Sequence, residues 1–431
     1  MRHYPRAIAV VTPVLFAPVL LAPVLHAQDR PLAWDFTEVW RVGGLDAPEW
    51  AQFTRRDDVA FDGDGNLYVA DPEADQVLKV DAAGQLVMTI GRPGEGPGEF
   101  EGLYGIVVWR DGSMAANDGG RDVFQLFDAD GNFQRMVRWS ATAGLTDTNV
   151  TRTMRPGPHP GIIYAQGRDA GLRAVFAAME ALVGDEEPET MVDERTIEAL
   201  NLAGDLVIGE VVLEAWRPTR PELTEVDLSD TDALMSVLNR APHFEPALRW
   251  DVMPGGAIAY VDSSVYEVRI VQNGSTVNTL TRAIAPLPVT RALASDIRDQ
   301  MIRELDAREP RAIPGPLPQG VDPADIQRSS REAARRQIEN MEFYPEVPVV
   351  AQVRAAWDGS IWVQRRDPLD EDTEGAVDVF GPDGAYRGTL AAGGYGVPDA
   401  FGPDGFVAYW ELDEMDVPSI VVYRLPATLR R

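Results

Sequence analysis

Residues 62–91 read DGDGNLYVADPEADQVLKVDAAGQLVMTIG, and residues 109–138 read WRDGSMAANDGGRDVFQLFDADGNFQRMVR. The second stretch repeats the first at a constant offset of 47. Gly65 matches Gly112, Asp71 matches Asp118, Asp81 matches Asp128, and Gly84 matches Gly131. Each copy reads as four short strands. In the first these are Val59–Phe61, Leu67–Ala70, Gln76–Val80 and Gln85–Ile90, with turns at Asp62–Asn66 and Asp81–Gly84. Asp-Gly and Gly-Asn pairs between alternating apolar runs signal hairpins, because glycine adopts the positive φ that tight turns need.

Working outward, weaker copies start at Gly161, Gly256, Gly359 and Gly405. The third is expected to place its outer strands at Thr196–Leu200 and Asp205–Ile208. The fourth runs on to Val265–Val271, the fifth to Val377–Phe380 and the sixth to Ser419–Tyr423. The sixth copy then lacks a fourth strand, and Thr37–Gly43 (TEVWRVG) resembles the fourth strand of the first copy. The expected fold is all-β: a six-bladed β-propeller of four-stranded antiparallel blades, closed by its N-terminal strand and carrying helical insertions. Such closure leaves no long open sheet in the ring.

These motifs resemble the six-bladed propellers of the NHL-repeat type, in particular exported bacterial ones. The resemblance rests on Gly65–Asp71 (GNLYVAD), Val77–Asp81 (VLKVD) and Thr89–Phe100 (TIGRPGEGPGEF). It implies a helical insertion before the fifth blade. The wider fold includes binding scaffolds, lactonases and amidating lyases, so it does not fix a function.

The N-terminus reads as a processing segment. Residues 1–6 (MRHYPR) are basic, residues 7–25 are almost wholly apolar, and Ala27 is a small residue suited to cleavage. Pro13, Pro18 and Pro23 interrupt the apolar run, which argues for a signal peptide over a membrane anchor. Residues 1–27 are therefore expected to be removed, leaving no stable membrane span. Residues 28–431 are expected to form one propeller domain with insertions at about 170–195, 216–247 and 283–345. Export to the periplasm or exterior suits a chain with no cysteine.

Composition excludes several chemistries. The chain has 431 residues, 68 acidic against 39 basic side chains, and a net charge of −29. A nucleic-acid partner would need a basic face to release counterions. Without cysteine there is no disulfide, thiolate metal site or cysteine nucleophile. Beyond the leader only His159 and His243 remain, too few for the histidine-rich site of the amidating lyases. There is no His-Glu-x-x-His, Gly-x-Ser-x-Gly or P-loop. Asp62–Asn66 resembles the start of a calcium loop, but Leu67 stands where an EF-hand needs glycine.

What remains is the channel where six inner strands converge. Candidates to face it are Asp57, Asp58, Tyr104, Arg249, Asp251, Arg354 and Asp399. Mixed Asp and Arg there suit a small polar ligand, a protein partner or a metal, and they equally suit ion pairing among themselves. The expectation is a binding or interaction module with no cofactor. The resemblance also implies the alternative of a lactonase-type hydrolase, with a divalent metal such as calcium held by channel oxygens. A further reading is an envelope component that presents the 283–345 insertion to a partner. In that insertion Thr290–Arg308 and Pro323–Met341 read as helices, the second with a stripe of Arg328, Arg331, Arg335 and Arg336.

Overall fold

The computed structural model describes residues 29–139, 153–167, 195–218, 241–308, 323–367 and 374–430. The signal peptide expected at 1–27, most of the insertions expected at 170–195 and 216–247, and residues 309–322 of the insertion expected at 283–345 lie outside them.

Six glycines, one per expected copy, decide the ring. Gly65, Gly112, Gly161, Gly256, Gly359 and Gly405 all have φ between 75 and 86°. This left-handed conformation is steeply disfavoured for other residues, so these glycines fix the hairpin between the first two strands of every blade. In blade one, Asp62 completes the turn. Its Oδ1 accepts the N–H groups of Asp64 and Asn66, and its Oδ2 accepts the Asn66 amide. The calcium-like motif is thus a turn whose carboxylate is already occupied.

Blade one comprises Val59–Phe61, Leu67–Asp71, Gln76–Val80 and Leu86–Ile90. Blade two comprises Leu103–Val108, Met114–Asp118, Val123–Phe127 and Phe133–Arg138. Blade three comprises Met154–Pro156, Ile162–Gln166, Thr196–Asn201 and Ile208–Glu214. Blade four comprises Arg249–Val252, Ile258–Val261, Glu267–Gln272 and Ser275–Thr281. Blade five comprises Val350–Ala355, Ile361–Arg365, Val377–Phe380 and Tyr386–Leu390. Blade six takes Ala400–Phe401, Phe406–Leu412 and Pro418–Arg424, and its fourth strand is Thr37–Gly43 from the start of the chain. The chain is a six-bladed β-propeller.

The closing strand pairs antiparallel with Pro418–Arg424, from Thr37 opposite Arg424 to Gly43 opposite Ser419. Six apolar clusters hold the ring, one at each interface between neighbouring blades. Tyr68, Phe100, Phe124, Trp362 and Phe380 are fully buried in them. Each such side chain contributes about 1.5–3 kcal/mol by leaving water.

Two features depart from expectation. The outer strand of blade three is Ile208–Glu214, later in the chain than Asp205–Ile208. Blade two captures the earlier residues: Arg138 N donates to Asp205 O, and Val207 N donates to Arg138 O. In addition, Pro31–Leu32 adds a parallel strand outside Tyr386–Leu390 of blade five. Asp29 ties this strap down through Arg282 and Arg365 at 2.8 and 2.7 Å, and the same two arginines reach the buried Asp378.

Between blades four and five the chain forms α1 (Arg291–Ala307) and α2 (Pro323–Glu339). Thr290 caps α1 by accepting the Leu293 N–H. A two-stranded ribbon, Leu287–Pro288 with Glu346–Val347, closes the base of this hairpin. Arg335 pairs with Asp306 and Arg331 donates to Arg308 O, so part of the basic stripe joins the two helices.

Candidate functional site

The inner strands enclose a cavity of about 560 Å³ lined by blades one to six. Asp58, Arg155, Asp251, Arg354 and Asp399 all line it, each five to seven residues before the turn glycine of its own blade. Common strand position therefore places five ionic side chains in one layer. The wall around them is largely apolar, with Ile106, Met154, Val252, Ala355 and Phe401. At the turn end Arg110 of blade two reaches across to blade five. It donates to Trp357 O, and its guanidinium lies 4.5 Å from the Trp357 ring.

Asp251 organises the layer. Its Oδ1 accepts Arg155 Nε at 2.9 Å and its Oδ2 accepts the Ala355 N–H at 2.9 Å. Arg354 Nε stands 3.9 Å from the same carboxylate. Arg354 also donates to the carbonyls of Pro398 and Asp399, which hold its guanidinium against the wall. Burial, reinforced by the nearby Arg155 charge, pulls the Arg354 guanidinium below its ordinary value.

Asp58 has a different environment. Its Oδ2 accepts the Ile106 N–H from blade two at 3.2 Å, and no described cation pairs with it. Blade two has Gly105 at the equivalent strand position, and a Cβ there would lie 2.4 Å from Asp58 Oδ2. The missing side chain makes room for the carboxylate. Surrounding protein pushes the Asp58 carboxyl up, against the opposing pull of the Ile106 N–H and the charges of Arg155 and Arg354. It nonetheless stays open to channel solvent. Asp399 behaves alike: it accepts Trp410 N at 2.7 Å and its carboxyl is raised, chiefly by desolvation. Asp57 pairs with Arg55 at 2.8 Å, and desolvation raises it too.

Thus Asp57, Asp58, Asp251, Arg354 and Asp399 meet at the cavity, and Arg155 joins them although its sequence context did not single it out. Tyr104 and Arg249 do not line it. A bulge between Leu103 and Gly105 re-aims Tyr104, whose ring lies over Gly119. Arg249 shares a strand face with Asp251 but stands two residues nearer the mouth. Burial lowers its guanidinium, with Arg366 and Arg195 adding repulsion. His159 sits exposed in the blade-three turn and His243 lies against the rings of Phe244 and Phe343, so the two are held in separate places. Among the described residues, no three acids or histidines converge as a metal site requires. The repeat-matched acids Asp71 and Asp118, and Asp262 just past the end of the second strand of blade four, instead accept backbone N–H groups of loops.

No protein-family model matches the chain, and no curated protein matches it. Solved structures of similar fold include a DUF4221 family member from Bacteroides vulgatus, 8% identical over 90% of this chain and 98% of that one, with a TM-score of 0.47. A suspected exported protein from Bacteroides fragilis is 9% identical over 90% and 95%, with a TM-score of 0.46. Virginiamycin B lyase from Staphylococcus aureus is 9% identical over 90% and 99%, with a TM-score of 0.38. At these values none of them bears on the chemistry of this channel. No helix among the described residues is long and apolar enough to cross a membrane.

Proposed function

We propose that this chain is an exported propeller of the NHL-repeat type that works as a binding module. Its mature part, 28–431, forms one domain whose channel takes a small polar ligand or a protein segment. The observation that carries this reading is the unequal use of charge in the ionic layer. Arg155, Asp251 and Arg354 satisfy one another. Asp58 and Asp399 accept backbone N–H groups and keep a free oxygen toward an apolar-walled cavity. Two carboxylates that no described cation pairs with, in a space of this size, favour a ligand rich in N–H donors or carrying an amine. The amine would supply the counter-charge that the fold leaves out.

The test is titration calorimetry of the mature chain with putrescine, a compact diamine, beside calcium and manganese. Saturable putrescine binding that weakens about tenfold or more in Asp58→Asn and Asp399→Asn supports the module. Metal uptake abolished by the same substitutions would favour the metal-dependent hydrolase of the lactonase type. Binding of neither probe ends the channel reading.

A further inference from the structure

A second charged centre lies at the channel mouth, outside the cavity, and its sign is opposite. The segment Phe244–Pro246 runs directly into the inner strand of blade four, which begins at Arg249. Two arginines from other blades converge on that segment. Arg195 of blade three donates to Pro246 O and pairs with Glu245 Oε1 at 3.0 Å, both side chains being only 5% exposed. Arg366 of blade five holds its guanidinium 5.8 Å from the Phe244 ring, and its backbone N–H, anchored on Val349 O, fixes the position of the chain there. Arg249 lies close enough to both for their charges to lower its guanidinium, and among the described residues it has no carboxylate partner and no side-chain hydrogen bond. Glu245 bonds Arg195, and Asp251, the nearest acid along the strand face, is held by Arg155 and Arg354.

This is an unexpected arrangement in a chain of net charge −29. Arginine in an acid-rich protein finds a carboxylate readily, and a half-buried guanidinium without one costs stability. Like charges drawn together on rigid strand ends are the arrangement that an anion resolves. The planar guanidinium offers paired N–H donors that match two oxygens of one oxyanion.

We propose that Arg249, flanked by Arg195 and Arg366, binds an oxyanion, carboxylate or phosphate, of a small ligand at the mouth of the channel. The aromatic rings of Phe244 and Trp216 stand beside these cations and wall the site with apolar surface. It is separate from the cavity and does not depend on what the cavity holds.

The experiment uses the mature chain in buffer free of multivalent anions, titrated separately with inorganic phosphate and with succinate. Stoichiometric binding of one or both is expected, together with a rise in melting temperature, since a ligand that binds only the folded state stabilises it. The stronger of the two identifies the oxyanion class. Arg249→Gln should weaken the binding tenfold or more and abolish the melting shift, while Arg249→Lys keeps the charge and recovers only part. In anion-free buffer Arg249→Gln should melt no lower than the parent, because it removes repulsion and no partner. If Arg249→Gln fails to fold, the Arg249→Lys titration and the parent's melting shift decide. Absence of saturable binding by both anions overturns the proposal, and so does binding that Arg249→Gln leaves unchanged. The putrescine titration reports the cavity separately, so the two readings fail independently.

Discussion

Arg155 Nε donates to Asp251 Oδ1 at 2.9 Å and thereby ties blade three to blade four at the channel wall. Asp251 also accepts its own strand's Val252 N–H and the Ala355 N–H of blade five. One carboxylate therefore joins three consecutive blades. Removing it leaves two arginines and an inner-edge N–H without their acceptor. Breaking a buried pair in this way costs about 3–5 kcal/mol. Asp251→Ala should lower stability by about that much in urea unfolding. A loss below about 1 kcal/mol would mean that Asp251 is not the joint of the layer.

Ring closure should depend on the paired backbone rather than on its ion pair. Arg41 of the closing strand reaches Glu411 at 2.8 Å, with side chains 41% and 26% exposed. Pairs this open contribute about 0–1 kcal/mol, so Arg41→Ala should be nearly neutral. Deleting residues 28–43 removes the closing strand together with the Pro31–Leu32 strap, and bares the edge of Pro418–Arg424. That variant should melt well below the parent in calorimetry, as a cooperative loss of the ring. Equal melting temperatures would show that the closure adds nothing.

The fold was legible where local chemistry is strong. Turn glycines at a common repeat position, and a sixth copy short of one strand, carry the ring and its closing strand. The site was legible only by strand alternation, and it fails where alternation breaks. Tyr104 stands one residue from Gly105, and the bulge beside it turns its ring onto Gly119. A one-residue shift moves a side chain to the opposite face. Arg155 escaped notice because its strand, Met154–Pro156, is too short to show a period and ends in proline. The strap at Pro31–Leu32 and the capture of Asp205–Val207 by blade two are pairings between distant segments, which local pattern does not encode.

Gly105 tests whether blade two leaves space on purpose for the Asp58 carboxylate. Its Cβ would meet Asp58 Oδ2 at 2.4 Å and Met154 Cε at 3.8 Å. Gly105→Ala should displace the carboxylate, break its bond from Ile106 N and cost about 1–3 kcal/mol by overpacking. Putrescine binding should fall with it. Gly255→Ala is the control, because a Cβ there meets nothing within 4 Å. If both variants unfold and bind alike, the close approach has no consequence.

Asp29 and Asp58 should titrate with opposite effects on stability. Hydrogen bonding to Arg365, and secondarily to Arg282, holds Asp29 below its ordinary value of 3.8. The folded state then sheds this proton more readily than the unfolded chain, so Asp29 stabilises above that pH and loses its contribution as pH falls through the lowered value. Desolvation by the surrounding channel wall raises Asp58 above 3.8, so the folded state retains its proton to higher pH. Stability then falls as pH climbs from 3.8 through the raised value, and ionised Asp58 is a cost at neutral pH. An asparagine keeps a carbonyl oxygen for Ile106 N in one case and loses the arginine attraction in the other. Urea unfolding from pH 3 to 7 should therefore find Asp29→Asn less stable than the parent at pH 7, and Asp58→Asn more stable. The Asp58 difference should shrink toward zero as the pH approaches 3, and the Asp29 difference should begin to shrink as the pH falls below 3.8. An Asp58→Asn advantage that stays constant with pH would mean that the effect is packing rather than charge. A deficit at pH 7 would mean that Asp58 is held in the channel by an attraction that the layer of Arg155 and Arg354 supplies.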